Sequence, residues 1–125
     1  MAVVYGKEEN VAGDRGIMTK DHPVIELDVL LKTKTQKLKA GTILKKSATT
    51  GKYEPAADAD TPACVLTEDS DGTTGLQRAA FHGVAVRSRL VDASGETAVK
   101  ASDTLAAKLP AIGIWVTQAY DGEVA

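Results

Sequence analysis

The residues best suited to chemistry in this chain are two aspartates separated by a single residue. They occur in the run Asp69-Ser70-Asp71-Gly72-Thr73, which follows a short apolar stretch. In such a pair one carboxylate can attack a phosphorus atom while the other protonates the leaving group, and a bound metal ion supports the transfer. Aspartate, serine and glycine are also the residues that favour tight turns, so a turn is the competing interpretation.

The run resembles the first motif of haloacid-dehalogenase-type phosphatases, Asp-x-Asp-Gly-Thr. This resemblance implies Asp69 as nucleophile and Asp71 as general acid and base. Against it, Thr67 and Glu68 interrupt the apolar strand that should lead into the motif. That fold also needs several long crossover helices, and only residues 74–125 remain to supply its later motifs. The sequence therefore favours a turn, and a metal-dependent phosphatase is kept as an alternative function.

The other potential metal ligands are sparse. The chain contains two histidines, His22 and His82, and a single cysteine, Cys64. The histidines fall in different parts of the pattern, so we expect no shared metal site and no cofactor. Cys64 lies within an apolar strand run, which predicts a buried, unreactive thiol and a reducing compartment.

Composition indicates a single domain with a thin core. The chain has 125 residues and is 43% hydrophobic, but only 4% aromatic. Much of the apolar content is alanine, which buries little area, so stabilisation by oligomerisation is plausible. A net charge of −2 indicates no basic surface for nucleic acid. No apolar run approaches the roughly 20 residues needed to span a bilayer, and the N-terminus lacks signal-peptide features. A soluble cytoplasmic protein is expected.

Short apolar runs separated by turn residues predict a mainly β protein, of the β-rich α+β class. Ile25, Leu27, Val29 and Leu31 alternate with polar residues, which indicates a strand with these four side chains on its buried face. Residues 33–39 would continue it as a solvated strand or edge. The lysine-rich segment as a whole would form a solvated face or face an acidic partner, and its lysines are Lys32, Lys34, Lys37, Lys39, Lys45 and Lys46. Further strands are predicted at 42–45, 63–67, 76–81, 84–90 and 112–116, with a hairpin tip at 49–51 and a short helix from Ser102 or Asp103 through Lys108.

The first 21 residues have no sustained hydrophobic period and cannot bury enough surface to fold alone. We therefore expect an extended N-terminal arm over residues 1–21, a β-rich domain over 22–117 and a C-terminal tail over 118–125. The apolar residues available as anchors on the arm are Val3, Val4, Tyr5, Ile17 and Met18.

Five segments in a fixed order resemble the lambda-type head decoration proteins of tailed bacteriophages, which cement the capsid. The resemblance covers about residues 38–117, and its order and spacing are more specific than any one segment. In two places the chain departs from the family. Arg87-Ser88-Arg89 makes a region polar that is usually rich in alanine and proline, and residues 24–39 are patterned as a strand, which would confine the arm to residues 1–21. The five segments are Ala40–Leu44, Gly51–Pro55, Ala63–Asp69, His82–Val86 and Leu109–Ile114.

This resemblance implies a small β-barrel or β-tulip-like domain with one short C-terminal helix. It implies a structural protein of the virion rather than an enzyme, made in the host cytoplasm and bound as homotrimers to the outer capsid surface against internal DNA pressure. The arm would add strand-like pairing to the major capsid protein, with Val3, Val4 and Tyr5 as its clearest anchors. No contact with nucleic acid or membrane is implied. Besides the phosphatase, a small-ligand-binding β-barrel stays open as an alternative.

Overall fold

The computed structural model describes residues 11–12, 17–19, 22–33, 35, 37–70, 72–92 and 99–118. Most of the regular structure is β, as predicted, and one short α-helix lies near the C-terminal end of the described residues. None of the described helices is long and apolar enough to cross a membrane. The strands are β1 (Val11–Ala12), β2 (Met18–Thr19), β3 (Ile25–Leu30), β4 (Ile43–Lys46), β5 (Tyr53–Pro55), β6 (Cys64–Leu66), β7 (Leu76–Val86), β8 (Val91–Asp92), β9 (Val99–Lys100) and β10 (Ile114–Thr117).

Strand β7 organises the main sheet. It is 11 residues long and pairs with four other strands: β3 and β6 along its first part, and β2 and β10 along its last part. Of these, β10 runs parallel to β7 and the others run antiparallel. The strand order is β1-β2-β7-β6-β4-β5, with β3 and β10 also joined to β7. The two strands predicted at 76–81 and 84–90 are therefore one strand, which ends at Val86.

Gly83 allows β7 to continue where two strands were expected. Its φ is +143°, and a Cβ atom there would lie 2.9 Å from Cε of Met18 and 3.3 Å from a methyl group of Val24. Gly83 is thus a point of close approach, since a side chain there would collide with residues from the N-terminal part of the domain.

The buried apolar side chains form two cores, a main core and a smaller one. Five of the strands curl around the smaller core. From β3 the sheet passes through β7, β6 and β4 to β5, where Tyr53 forms a single bridge to Leu31 just after β3. The described strands do not form a closed barrel. This core contains Val29, Leu31, Leu38, Leu44, Cys64, Leu66 and Ala79, with Tyr53, Phe81 and Val91 packed against it.

The main core lies under the helical segment. Helix α1 (Asp103–Ala106) begins as predicted, because the Ser102 hydroxyl accepts a hydrogen bond from the Leu105 N–H at 3.1 Å. A 3-10 helix over Leu109–Ile112 follows and leads into β10. Leu105, Leu109 and Ile114 are fully buried, which ties the helical segment to the sheet.

Two stretches differ from the sequence-based expectation. The lysine-rich residues after β3 do not continue the strand in their described part, because Leu38 turns inward and pairs through both its backbone groups with Ser70. Residues Arg87–Arg89 form a 3-10 helix rather than the end of a strand. There Arg87 is buried instead of solvated, and its guanidinium donates to the Ala101 carbonyl and to Oδ1 of Asp103, each at 2.7 Å.

Ile17 and Met18 belong to the folded domain in this structure. Both side chains are buried in the main core, and Met18 pairs with Ala85 of β7. A capsid contact through them would require residues 17–19 to leave the sheet. The other proposed anchors, Val3, Val4 and Tyr5, lie outside the described residues.

Replacing Gly41 with alanine tests how closely the backbone at Gly41 packs against the carbonyl group of Arg89. The added Cβ would lie 2.0 Å from the carbonyl oxygen of Arg89, and the φ of +97° is itself unfavourable for alanine. We expect Gly41→Ala to lower the free energy of unfolding by about 3 kcal/mol or more, combining left-handed strain with overpacking.

Gly51→Ala is the matched control. Its φ is +74°, but the nearest neighbour of an added Cβ is the end of the Lys46 side chain at 4.0 Å. This variant should lose only about 1–2 kcal/mol in urea unfolding at the same protein concentration. Equal losses of unfolding free energy for the two variants would show that the close contact of residue 41 with the Arg89 carbonyl adds nothing to the destabilisation.

Candidate functional site

Asp69 and Ser70 hold a neighbouring segment of backbone in place. Oδ1 of Asp69 accepts a hydrogen bond from the Ala40 N–H at 2.8 Å. The next residue, Ser70, accepts from the Leu38 N–H through its hydroxyl at 2.6 Å and donates its own N–H to the Leu38 carbonyl at 2.9 Å. Asp71, the second residue of the proposed phosphatase pair, lies outside the described residues.

These bonds give the turn a structural role. Asp69 and Ser70 anchor the segment that leads from Leu38 into Gly41, so the run is connected to both cores. In the described ranges no three His, Cys, Asp or Glu side chains lie close enough together to hold a metal ion. We find no observation that favours phosphoryl transfer at Asp69.

Cys64 is the only cysteine and is fully buried in the smaller core. Burial raises the pKa of its thiol from 9.0 to about 12, because the surrounding side chains cannot solvate a thiolate. The expectation of a buried thiol is therefore confirmed, and the chemistry of this residue is suppressed by its position.

The most prominent surface feature is the edge strand β3 with the start of β7, here called the β3 ribbon (Ile25–Leu30 and Leu76–Arg78). Among the described strands β3 pairs only with β7. It carries Ile25, Leu27 and Leu30, and Leu30 is the register partner of Leu76. These four side chains are between 43% and 53% exposed, and they are four of the six large apolar residues exposed in the described chain. An exposed apolar edge strand is a surface that pairs readily with another chain.

This exposure overturns part of the strand prediction. Ile25 and Leu27 were expected on a buried face with Val29 and Leu31, but only the last two are buried. Period-2 alternation identified the correct face, since all four lie on alternate positions. It could not show that the smaller core ends before Leu27, because the length of a core depends on strands that are distant in sequence.

Charged side chains limit what can pair with the β3 ribbon. Arg78 lies 3.6 Å from a carboxylate oxygen of Glu26 and 4.0 Å from one of Asp28, so the three form a small ion-pair group on the ribbon. The arginine also donates its backbone N–H to Glu68. The Arg78–Asp28 pair is exposed and contributes little to stability, whereas the Glu26 side chain is only 17% exposed. Together these charges set what a partner must complement.

The lysine-rich segment is partly neutralised within the chain. Lys32 lies 3.6 Å from Glu54, and Lys45 lies 3.2 Å from Asp60. Hydrogen bonding from the Ala57 backbone and from Lys45 holds the pKa of Asp60 below its usual value. These contacts fit a solvated surface better than a field of unpaired positive charge.

The structure also joins two residues that the sequence kept apart. His22, just before β3, and His82, within β7, lie side by side and next to Trp115 of β10. Their separation of 60 residues carries no local signal. Only the pairing of β3 and β10 with the same strand brings them together.

The sequence matches no family model, and a comparison with curated proteins finds no similar one.

Ser70→Ala tests the structural role of the turn. Removing the hydroxyl leaves the buried Leu38 N–H without its acceptor, which should lower the free energy of unfolding by about 1–3 kcal/mol. Ser47→Ala is the matched control, since the Ser47 hydroxyl accepts only an exposed bond from Thr50. It should change stability by less than about 0.5 kcal/mol. Urea unfolding of both variants decides the question, and equal effects would contradict the assigned role.

The raised pKa of Cys64 predicts slow thiol chemistry. At pH 8 the folded chain should contain about a thousandfold less thiolate than an ordinary cysteine, so reaction with a thiol reagent should await unfolding. Because the folded-state pKa is the higher one, this group stabilises the fold below its unfolded pKa near 9 and ceases to do so as the pH rises towards 12. Labelling with Ellman's reagent in the presence and absence of urea measures this, and rapid labelling of folded protein would contradict it.

Proposed function

We propose that this chain is a structural protein of a tailed-phage virion that binds the outer capsid surface as a homotrimer. The proposal rests on the resemblance to lambda-type decoration proteins, and one observation carries it further. Each of the five resembling segments overlaps a different structural unit, in chain order: β4, β5, β6 with the residues after it, the last part of β7, and the 3-10 helix leading into β10. This is the arrangement that the proposal requires.

The β3 ribbon is the surface we assign to contacts between copies of this chain. Its half-exposed apolar side chains lie on an edge strand of a small protein whose core is rich in alanine. Covering them in an oligomer would remove apolar surface from water and protect an edge that otherwise invites uncontrolled pairing. The opposite charges of Arg78 and Asp28 on the same ribbon would restrict the geometry in which copies meet.

The N-terminal arm is assigned to the major capsid protein. Two short strands near the N-terminal end of the described residues extend the sheet: β2 pairs with β7, and β1 pairs with β2. Ile17 and Met18 anchor the base of the arm in the core. In the proposed mechanism the residues before Val11 add a strand to a capsid protein, with Val3, Val4 and Tyr5 supplying apolar side chains.

A trimer would present three arms to one capsid position. Each arm needs only modest affinity, because binding of the first raises the effective concentration of the others. This arrangement would clamp neighbouring capsid subunits and resist outward pressure without any chemical step. It fits the positions of the two reactive groups, because Cys64 is buried in the smaller core and Asp69 accepts a hydrogen bond from the Ala40 backbone.

The arm is tested by the triple variant Val3→Ser, Val4→Ser and Tyr5→Ser. We expect it to remain folded and trimeric by light scattering but to lose co-sedimentation with expanded capsids built from the major capsid protein of the same virus. The reason is that main-chain pairing alone lacks the apolar contacts that fix its register. Lys7→Ser with Glu8→Ser is the control in the same segment and should retain binding. Undiminished binding by the triple variant would remove the arm from the mechanism.

The oligomer contact is tested by Leu27→Lys. The added charge should shift the protein from trimer to monomer at micromolar concentration, because a lysine ammonium cannot be buried without a partner. Val99→Lys is the matched control, since Val99 is 56% exposed on the separate ribbon formed by β8 and β9. It should leave the mass unchanged. A wild-type chain that is monomeric in light scattering would contradict the trimer itself, whereas a trimeric Leu27→Lys variant would contradict only the assigned surface.

A further inference from the structure

The only two histidines of the chain form a direct pair at the junction of three strands. Nε2 of His22 lies 2.9 Å from Nε2 of His82, and the ring centroids are 4.9 Å apart. His82 is opposite Ile25 in the β3–β7 register, so the start of β3 holds His22 above it. The contact requires one Nε2 to carry the hydrogen and the other to present its lone pair.

We propose that His22 and His82 form a binding site for a divalent transition-metal ion, with Cu²⁺ preferred. In this site the ring that carries its hydrogen on Nε2 shifts to the tautomer with the hydrogen on Nδ1, and both neutral rings then bind an ion beside the line that joins the two Nε2 atoms. Water molecules complete the coordination. The proposal is independent of the capsid function, since it requires only the folded domain.

The separation of the two nitrogens suits this role. Ligands in adjacent positions of a square-planar site with bonds of about 2.0 Å are about 2.8 Å apart, which is close to the observed 2.9 Å. A tetrahedral zinc site requires about 3.3 Å, so the rings would have to separate further for Zn²⁺. Imidazole suits copper, nickel and zinc, and among these the inherent affinity is greatest for Cu²⁺. Magnesium prefers oxygen ligands and should not bind.

The surroundings hold the pair in position while leaving it accessible. Trp115 of β10 contacts both rings edge-on, with centroid distances of 5.8 Å to His22 and 5.6 Å to His82. On the other side, Gly113 allows a close approach, because a Cβ there would lie 3.1 Å from Nδ1 of His82. Both histidines are partly buried and Trp115 is 47% exposed, so an ion can enter from solvent.

The described chain contains little that would compete for such an ion. Cys64, the only thiol, is fully buried in the smaller core. Exposed carboxylates such as Asp28 are hard oxygen ligands, which copper prefers less than imidazole. Binding of Cu²⁺ should therefore report on the histidine pair.

Trp115 provides the measurement, because it is the only tryptophan and touches both ligands. Titrating the full chain, without an affinity tag, with Cu²⁺ should quench its fluorescence to saturation at one ion per chain. Ni²⁺ should do so at higher concentration and Mg²⁺ not at all. His22→Gln and His82→Gln should each weaken Cu²⁺ binding by at least about tenfold, since even loss of a supporting contact to a ligand costs that much.

Glu54→Gln is the control for adventitious binding to surface carboxylates and should leave the titration unchanged, since Glu54 lies on β5, outside both the histidine pair and the β3 ribbon. Electron paramagnetic resonance of the wild-type complex gives a second test that depends on no variant, because two bound imidazoles produce nitrogen hyperfine coupling. Absence of that coupling would overturn the proposal, as would quenching that survives in both histidine variants. If circular dichroism shows that the histidine variants do not fold, the electron paramagnetic resonance spectrum of the wild-type complex decides the question.

Discussion

The backbone of the 11-residue strand β7 is paired by four other strands, two along its first part and two along its last part. Both faces of β7 are covered as well, since Ala79 enters the smaller core and Ala80 the main one. Small side chains at these positions let the two cores approach the same strand. The rest of the domain is arranged around this strand, including the curl of β3 towards β5 and the docking of α1.

Because β7 occupies the centre, the surfaces available for binding lie at the margins of the sheet. β3 pairs with β7 but with no other described strand, and its apolar side chains extend past the end of the smaller core. β1 continues the sheet beyond β2. The proposed contacts with copies of the chain and with a capsid therefore use edges that the fold itself leaves available.

Local sequence signals succeeded where a single element decides its own structure. Ser102 predicted the start of α1 because its hydroxyl can cap the helix without help from distant residues. The turn residues predicted the hairpin of β4 and β5, and the apolar run around Cys64 predicted that its thiol is buried. The prediction was wrong at Arg87, where a polar run resembled a solvated strand. Its burial depends on Asp103 and the Ala101 carbonyl, which lie 14 to 16 residues away.

The sequence alone therefore determined the mainly β class, the presence of a short helix that begins near Ser102 and the buried thiol, because each depends on local periodicity or capping chemistry. Only the tertiary structure decided that Asp69 supports the backbone of Ala40, that Ile25 and Leu27 are exposed, and that His22 meets His82. These outcomes depend on how β3, β7 and β10 pair across long sequence separations. No local pattern contains that information, since register is set by the packing of the whole sheet.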